Sequence, residues 1–292
     1  MRNENKLTYA IVLPAHNEEK FIANALESIV CQTHLPSQLV VVNDNSTDST
    51  PAIIQTYVQK YPFIESTHSE ATSHSHEPGS KIVKAFYKGF DKIHADWEVI
   101  VKLDADVILP ARYFEEILRE FSANPKLGIA GGIAQIEKNG KWEFEKIGDK
   151  KHVRGPFKAY RKECFEVIGG LKKSIGWDTV DELLAQFHGF EIKVRTDLFV
   201  KLQKPTGIQY SSIHAEKTGQ GFYLMDYGFL ISLIASLKSA WQKKNFSVFF
   251  NTLKGYFKSS QEALPKIVTV EEGKFIRKYR WQGILKKLLI RR

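Results

Sequence analysis

The chain has 292 residues, 43% hydrophobic and 12% aromatic, which is enough for a packed core and excludes a disordered, collagen-like or low-complexity protein. Its net charge is +9, but residues 274–292 hold eight Lys or Arg and no acidic residue, leaving the remaining 273 residues near neutral. That distribution excludes a uniformly basic nucleic-acid-binding surface. In chain order, Tyr9–Leu13 and Leu39–Val42 read as buried strands, and Glu18–Val30 between them places Phe21, Ala25 and Ile29 on one helical face. Thr47, Asp48 or Ser49 can cap a helix from Pro51 to about Tyr61, with proline tolerated in its first turn. Ser66–Glu77, with His68, His74 and His76, reads as a polar surface loop, a metal site being the less favoured alternative. Trp97–Leu103 is a further strand and Pro110–Phe121 a further helix.

After Pro125 the pattern turns antiparallel: Gly128–Ile136 and Trp142–Ile147 are strands joined by a hairpin turn at Asn139-Gly140. Val180–His188 reads as a helix ending at Gly189, with Glu191–Thr196 extended after it. Phe222–Lys238 and Phe246–Ser259 are expected as long helices, and no internal repeat is present. Cys31 and Cys164 cannot form a disulfide scaffold, belong to no CxxC pair, and read as small core hydrophobes. No stretch of about 20 residues is apolar enough to span a bilayer. The opening apolar run is only about five residues long and is followed by charges, so a cleaved signal peptide is not expected and a cytoplasmic location is.

Strands alternating with helices indicate a mostly parallel sheet with helices on both faces, where ligands bind beyond the carboxyl ends of the strands. Three such ends are polar here: Pro14–Glu18, Asn43–Asp48 and Asp104–Asp106. A single Asp-x-Asp is weak evidence, because aspartate favours turns. Three polar clusters in register with a sheet point to a site.

The segment IVLPAHNEEKFIANALESIVCQTHLPSQLVVVNDNSTDST resembles the opening of glycosyltransferase family 2 enzymes. Pro78-Gly79-Ser80-Lys81 with Ala85 is similar to that family's Gly-x-Lys-x-x-x-Ala stretch, and VKLDADVILP to its Asp-x-Asp motif. VRGPFKAYRKECFEVIGGL and GWDTVDELLAQFHGFEIKV resemble its acceptor-side segments. The likeness covers about residues 8–197. It implies a GT-A fold: a mixed, mostly parallel α/β sheet flanked by helices. The expected organisation is a catalytic domain over 1–204, with the nucleotide-sugar side at about 1–125 and the acceptor side at 126–204, followed by a helical, basic region over 205–292.

The resemblance also implies a nucleoside-diphosphate sugar donor, a Mg²⁺ or Mn²⁺ cofactor and inversion at the anomeric carbon. A divalent ion would stabilise the charge developing on the diphosphate, and hard cations take carboxylate oxygens. Asp106 is then the direct metal ligand, with Asp104 on the ribose or a metal-bound water. Asp44 accepts from the nucleobase, and Pro14 and His16 lie along the base or ribose. Glu18 serves the donor site or only caps its helix; Lys81 reaches the diphosphate or is only solvated. The family's histidine ligand on the C-terminal side has no counterpart at Lys201–Lys204, so His214 substitutes or phosphates and water complete the shell.

One-step inversion needs a base for the acceptor hydroxyl. The resemblance implies an acidic pair at the start of a helix below the acceptor. The spacing here departs from the usual Glu-Asp pair, and the candidates are Asp181 first, then Asp178, then Glu182, with Trp177 either a sugar platform or a packing residue. The implied acceptor is a saccharide or lipid-linked molecule in cell-surface polysaccharide or glycoconjugate synthesis. A nucleotidyltransferase would carry a Gly-rich basic loop after its first strand, where this chain has the acidic Pro14–Glu19. A catalytically inactive nucleotide-sugar-binding scaffold is the other rival, but the Asp-x-Asp and the base candidates are retained. Finally, Phe275, Tyr279, Trp281, Ile284, Leu285, Leu288 and Leu289 interleave with the basic residues of 274–292. Together with the Phe-, Leu- and Ile-rich stretches of Phe222–Phe257 before it, this tail, as an amphipathic helix, would dock on the anionic cytoplasmic face of an inner membrane without crossing it; the alternative is that its apolar face packs on the protein or a partner subunit.

Overall fold

Tyr9–Ala15 (β1) is buried along its whole length because helices cover both faces of the sheet to which it belongs, as a parallel strand requires. The computed structural model describes residues 7–69, 80–145, 152–204 and 212–290. The chain divides into two compact units, the first made of Met1–His76, Lys81–Leu171 and His188–Thr206, the second of Glu77–Ser80, Lys172–Phe187 and Gly207–Arg292.

In the first unit β1 pairs in parallel with Gln38–Asn43 (β2) and Val99–Leu103 (β4), and β2 with Ile64–His68 (β3). Strand alternation divides their side chains between two layers. Ile11, Leu13, Leu39 and Val41 join a core with Ile22, Leu26 and Ile29 of α1 (Ile22–Val30) and Phe114, Ile117 and Phe121 of α4 (Tyr113–Ala123). Val12 and Val42 face the other layer, where α3 (Ser80–Phe90) lies so close that a Cβ on Gly89 would come within 2.6 Å of both. Helix α2 (Thr50–Lys60) follows β2.

The sheet order is β3-β2-β1-β4-β8-β6-β9-β5, with β7 on the side of β6. Phe157–Arg161 (β8) inserts antiparallel between β4 and Leu127–Lys138 (β6), and α5 (Lys162–Val167) follows it. Sequence patterning assigns no element there, because Phe-Lys-Ala-Tyr-Arg is too short and mixed to show a period. Lys141–Phe144 (β7) closes a hairpin on β6 through Asn139 and Gly140, whose φ angles of 51° and 74° are what a two-residue primed turn demands. It ends at Phe144; the expected end at Ile147 lies outside the described residues. The strand expected over Glu191–Thr196 continues to Leu202 (β9), running parallel to β6 and then antiparallel to Val107–Ile108 (β5). Of the expected polar loop Ser66–Glu77, the residues to His68 belong to β3; His74 and His76 lie outside the described residues. Cys164 is buried, but Cys31 is exposed: α1 ends at Val30 and the thiol turns out towards Glu27.

The second unit holds α6 (Trp177–Phe187), α7 (Ser212–Leu224), α8 (Phe229–Lys243), α9 (Ser247–Gln261) and α10 (Val270–Ile290). The single helix expected over Phe222–Lys238 is two, because Asp226 and Gly228 adopt φ of 54° and 72° and reverse the chain. The basic tail is helical as expected, but it is not divided into two faces. At about 100° per residue its apolar and basic side chains alternate around the axis, with Ile276 buried and Leu285 and Leu289 exposed. Among the described residues no helix is long and apolar enough to cross a membrane.

Candidate active site

The turns after β1 and β2 are laced together, which fixes the rim of the sheet where its parallel strands end. Asn17, at φ 54°, accepts the Thr47 N–H through its side-chain oxygen at 2.8 Å and donates its own N–H to Ser46. Glu18 N–H donates to the Thr50 hydroxyl at 2.8 Å, and Glu19 and Asp48 each accept an N–H from the other's segment. Asp48 also accepts the Thr50 N–H at 3.0 Å, and so caps α2, while Ser49 makes no capping bond. The polar residues that read as a ligand cluster therefore include several that build the turn itself.

Asp44 leaves β2 with its N–H on the Ala15 carbonyl. One carboxylate oxygen accepts the Ser69 hydroxyl and the other lies 3.3 Å from the Lys81 ammonium, while His16 Nδ1 meets the Asp44 carbonyl at 2.5 Å. Asp44, His16 and Lys81 are thus brought together at one end of β2, and Ser69 joins them unpredicted. Pro14 is buried within β1, one residue inside the strand end. Asn43 is buried behind Asp44 and meets His68 at 3.2 Å.

The second cluster forms at the end of β4. Asp104 accepts a hydrogen bond from the ammonium of Lys102, which is only 2% exposed although it belongs to a central strand. Burial, and then the charge of Asp104, push the Asp106 carboxyl up to about 7, against the opposing pull of Lys204. The β5–β9 ladder is what brings Lys204 here: Leu202 pairs with Val107 and the Gln203 N–H donates to the Asp106 carbonyl at 3.0 Å. Lys204 donates to Glu18 Oε1 and lies over the Phe21 ring, while Glu18 Oε2 is buried without a hydrogen-bond partner. Two lysines, Lys102 and Lys204, are therefore members of this acidic cluster that sequence reasoning missed. Lys102 left a trace, a charge inside an otherwise apolar strand two residues before Asp104. Lys204 left none.

Asp178, Asp181 and Glu182 all fall in the first two turns of α6, in the second unit, and their i, i+3, i+4 spacing puts them on one face of the helix. Asp181 is fully buried with Oδ1 accepting the Glu182 N–H at 2.6 Å; Glu182 is also buried, and Asp178 is partly open to solvent. Trp177 is 7% exposed. His214 lies on α7, where burial and the nearby Lys243 hold its imidazole below the usual pKa.

The sequence profile of glycosyl transferase family 2 matches residues 10–171, more than half of the chain. The chain belongs to this family. It is similar to the probable glycosyltransferase YdaM of Bacillus subtilis, 33% identical over 210 residues, covering 63% of this chain and 46% of that protein. It is also similar to poly-beta-1,6-N-acetyl-D-glucosamine synthase of Staphylococcus epidermidis, 22% identical over 167 residues and covering 56% of this chain and 34% of that one. This family 2 chain thus spans between a third and a half of the length of these relatives. Among solved structures, Staphylococcus aureus TarS 1–349 with UDP-GlcNAc superposes at a TM-score of 0.56, 18% identity, and coverage of 73% of this chain and 65% of that one. Mannosyltransferase PcManGT from Pyrobaculum calidifontis, with GDP-Man and Mn²⁺, superposes at 0.53, 15% identity, and coverage of 96% and 81%. These likenesses identify the fold as GT-A.

The residues at the end of β4 suit a hard divalent cation. They present carboxylate oxygens, Asp106 is raised by burial beside another negative charge, and Glu18 keeps a buried oxygen without a partner. The described residues hold no preformed group of three or more His, Cys, Asp or Glu around one point. Diphosphate oxygens and water would have to complete the shell of any ion bound there.

Proposed function

We propose that this protein transfers a sugar from a nucleoside-diphosphate sugar to a hydroxyl of a saccharide or lipid-linked acceptor, with inversion, in cell-surface polysaccharide or glycoconjugate synthesis at the cytoplasmic face of a membrane. The observation that carries the reading is the pair of acidic strand ends, Asp44 on β2 and Asp104-Ala105-Asp106 on β4, in a family 2 chain of GT-A fold. Asp44 would receive the nucleobase, with Pro14 and His16 along the base and ribose. Lys81 is half exposed on a long flexible side chain, so its ammonium would leave Asp44 for the diphosphate as the base takes its place. Asp104 would reach the ribose.

A bound Mg²⁺ or Mn²⁺ would supply Lewis-acid stabilisation of the leaving diphosphate, held by Asp106 with Asp104 nearby. Lys204 keeps Glu18 in place and offsets part of the negative charge that a diphosphate would meet. On the acceptor side Asp181, or failing it Asp178 or Glu182, takes the hydroxyl proton as the oxygen attacks the anomeric carbon and the bond to the diphosphate breaks. Trp177 would border the acceptor.

The test is a thermal-shift panel of UDP, GDP, dTDP and CDP with and without Mn²⁺. One nucleotide should raise the melting temperature, since saturation at about 100 times Kd stabilises by about 2.7 kcal/mol, and Asp106→Ala should lose the Mn²⁺-dependent part of that shift. No shift with any of the four would overturn the reading.

A further inference from the structure

A helix at the surface of a water-soluble domain turns its large apolar side chains inward and its small or polar ones outward. In the second unit, α8 and α9 do the reverse. Along α8, Leu230, Ile234, Leu237 and Trp241 recur at steps of four, three and four, so they form one stripe, and every one is exposed, Trp241 to 77%. The inward positions hold Ser232, Ser236 and Ala240, all fully buried, with Ile231 the one large apolar residue of α8 buried beside them. The two serine hydroxyls are satisfied on their own helix, donating to the carbonyls of Gly228 and Ser232 at 2.8 and 2.6 Å.

Helix α9 repeats the arrangement. Phe246 at its N-cap, Phe250 and Phe257 point out, Phe250 at 67% exposure, while Thr252, Gly255 and Ser259 are buried. Thr252 and Ser259 likewise donate back to Val248 and Gly255. With glycine at the crossing, α7 and α9 come together backbone to backbone. A Cβ on Gly219 would fall 1.7 Å from the Thr252 carbonyl oxygen, and one on Gly255 1.9 Å from that of Glu216. Small residues between helices with large apolar ones outside is how helices pack when the surrounding medium is itself apolar.

The charge on the hairpin says which apolar medium. Phe229–Gln261 contains five lysines, Lys238, Lys243, Lys244, Lys254 and Lys258, and no Asp or Glu. Lys254 and Lys258 have acidic neighbours, Glu216 and Glu262, on adjoining segments. An apolar stripe with an exposed tryptophan and flanking lysines matches the boundary between lipid headgroups and acyl chains. Neither helix is long and apolar enough to cross a bilayer.

We propose that the α8–α9 hairpin is the membrane-docking surface of this protein, lying flat on an anionic phospholipid surface with Leu230, Ile234, Leu237, Trp241, Phe246 and Phe250 in the acyl boundary. The basic tail, whose apolar side chains are spread around α10, is secondary to it. The proposal does not depend on the sugar-transfer reading.

The test uses the full chain in co-sedimentation with phosphatidylcholine vesicles, with and without phosphatidylglycerol. Wild type should bind the phosphatidylglycerol vesicles and be released by salt. A Trp241→Ser, Phe246→Ser, Phe250→Ser triple variant should bind them roughly tenfold more weakly or not at all, with an unchanged melting temperature because all three positions are exposed. A Lys286→Gln, Lys287→Gln tail variant should bind as wild type does. Wild-type binding by the triple variant, loss confined to the tail variant, or no vesicle binding by wild type at low salt would each overturn the proposal. So would a wild-type oligomer that the triple variant dissociates while neither protein binds vesicles, since a second copy would then cover the hairpin. The nucleotide thermal shift, read on the same proteins, stands or falls separately.

Discussion

Ile11, Leu13, Val41 and Phe121 are fully or almost fully buried in the first unit, and Ser232, Ser236, Thr252 and Ser259 are equally buried in the helices of the second. The sheet unit draws its stability from apolar area removed from water, at about 25 cal/mol per Å². The helical hairpin draws far less from that source. It depends on the close backbone approach of α9 to α7 at Gly255 and Gly219 and on hydroxyls that satisfy themselves one turn back, and it leaves most of its large side chains outside. The difference teaches that exposure of an apolar residue is uninformative one residue at a time. It becomes informative when a whole stripe is exposed and the opposite stripe is small.

The comparison also divides the chemistry, with nucleotide candidates in one unit and base candidates in the other. Asp181→Asn should sharpen it most, lowering transfer by roughly 10²–10⁴-fold, the range for a positioned general base, while the nucleotide thermal shift stays as in wild type. If Asp178→Asn is the inactive variant instead, the base moves three residues along α6. Leu13→Ala, in the core of the sheet unit, should cost about 2–5 kcal/mol in denaturant unfolding through the lost methyl groups and the cavity they leave. Gly219→Ala tests the helical unit by overpacking; with a carbonyl oxygen in the way it should cost about 1–3 kcal/mol, read as an earlier unfolding transition. Phe250→Ser should change stability by no more than about 0.5 kcal/mol, though the same change in the sheet core would be severe. A cost for Phe250→Ser comparable to that of Leu13→Ala would break the comparison, because the stripe would then be part of a core.

Much of the sheet unit was legible in the residues. The apolar runs of β1, β2 and β4 are strong local signals, and each polar cluster at their ends falls where the sheet presents it. Asp44 and Lys81 form an ion pair, and Asp104 and Asp106 feel each other's charge. The helical extension was legible as helix, but not its break at Asp226–Gly228 or the direction of its faces. An apolar residue every three or four positions marks a stripe without saying whether protein, water or lipid will meet it.

The sequence by itself determined the alternation of strands and helices, the Asn139-Gly140 hairpin and the identity of the acidic strand ends, because each rests on residues within a few positions of one another. Only the tertiary structure decided that β8 would slip antiparallel between β4 and β6, that Lys204 would stand beside Glu18 and Asp106, and that α8 would turn serines inward and Trp241 outward. Those outcomes depend on strand pairing and helix packing between segments far apart in the chain, where local periodicity carries no information about which partner will be met.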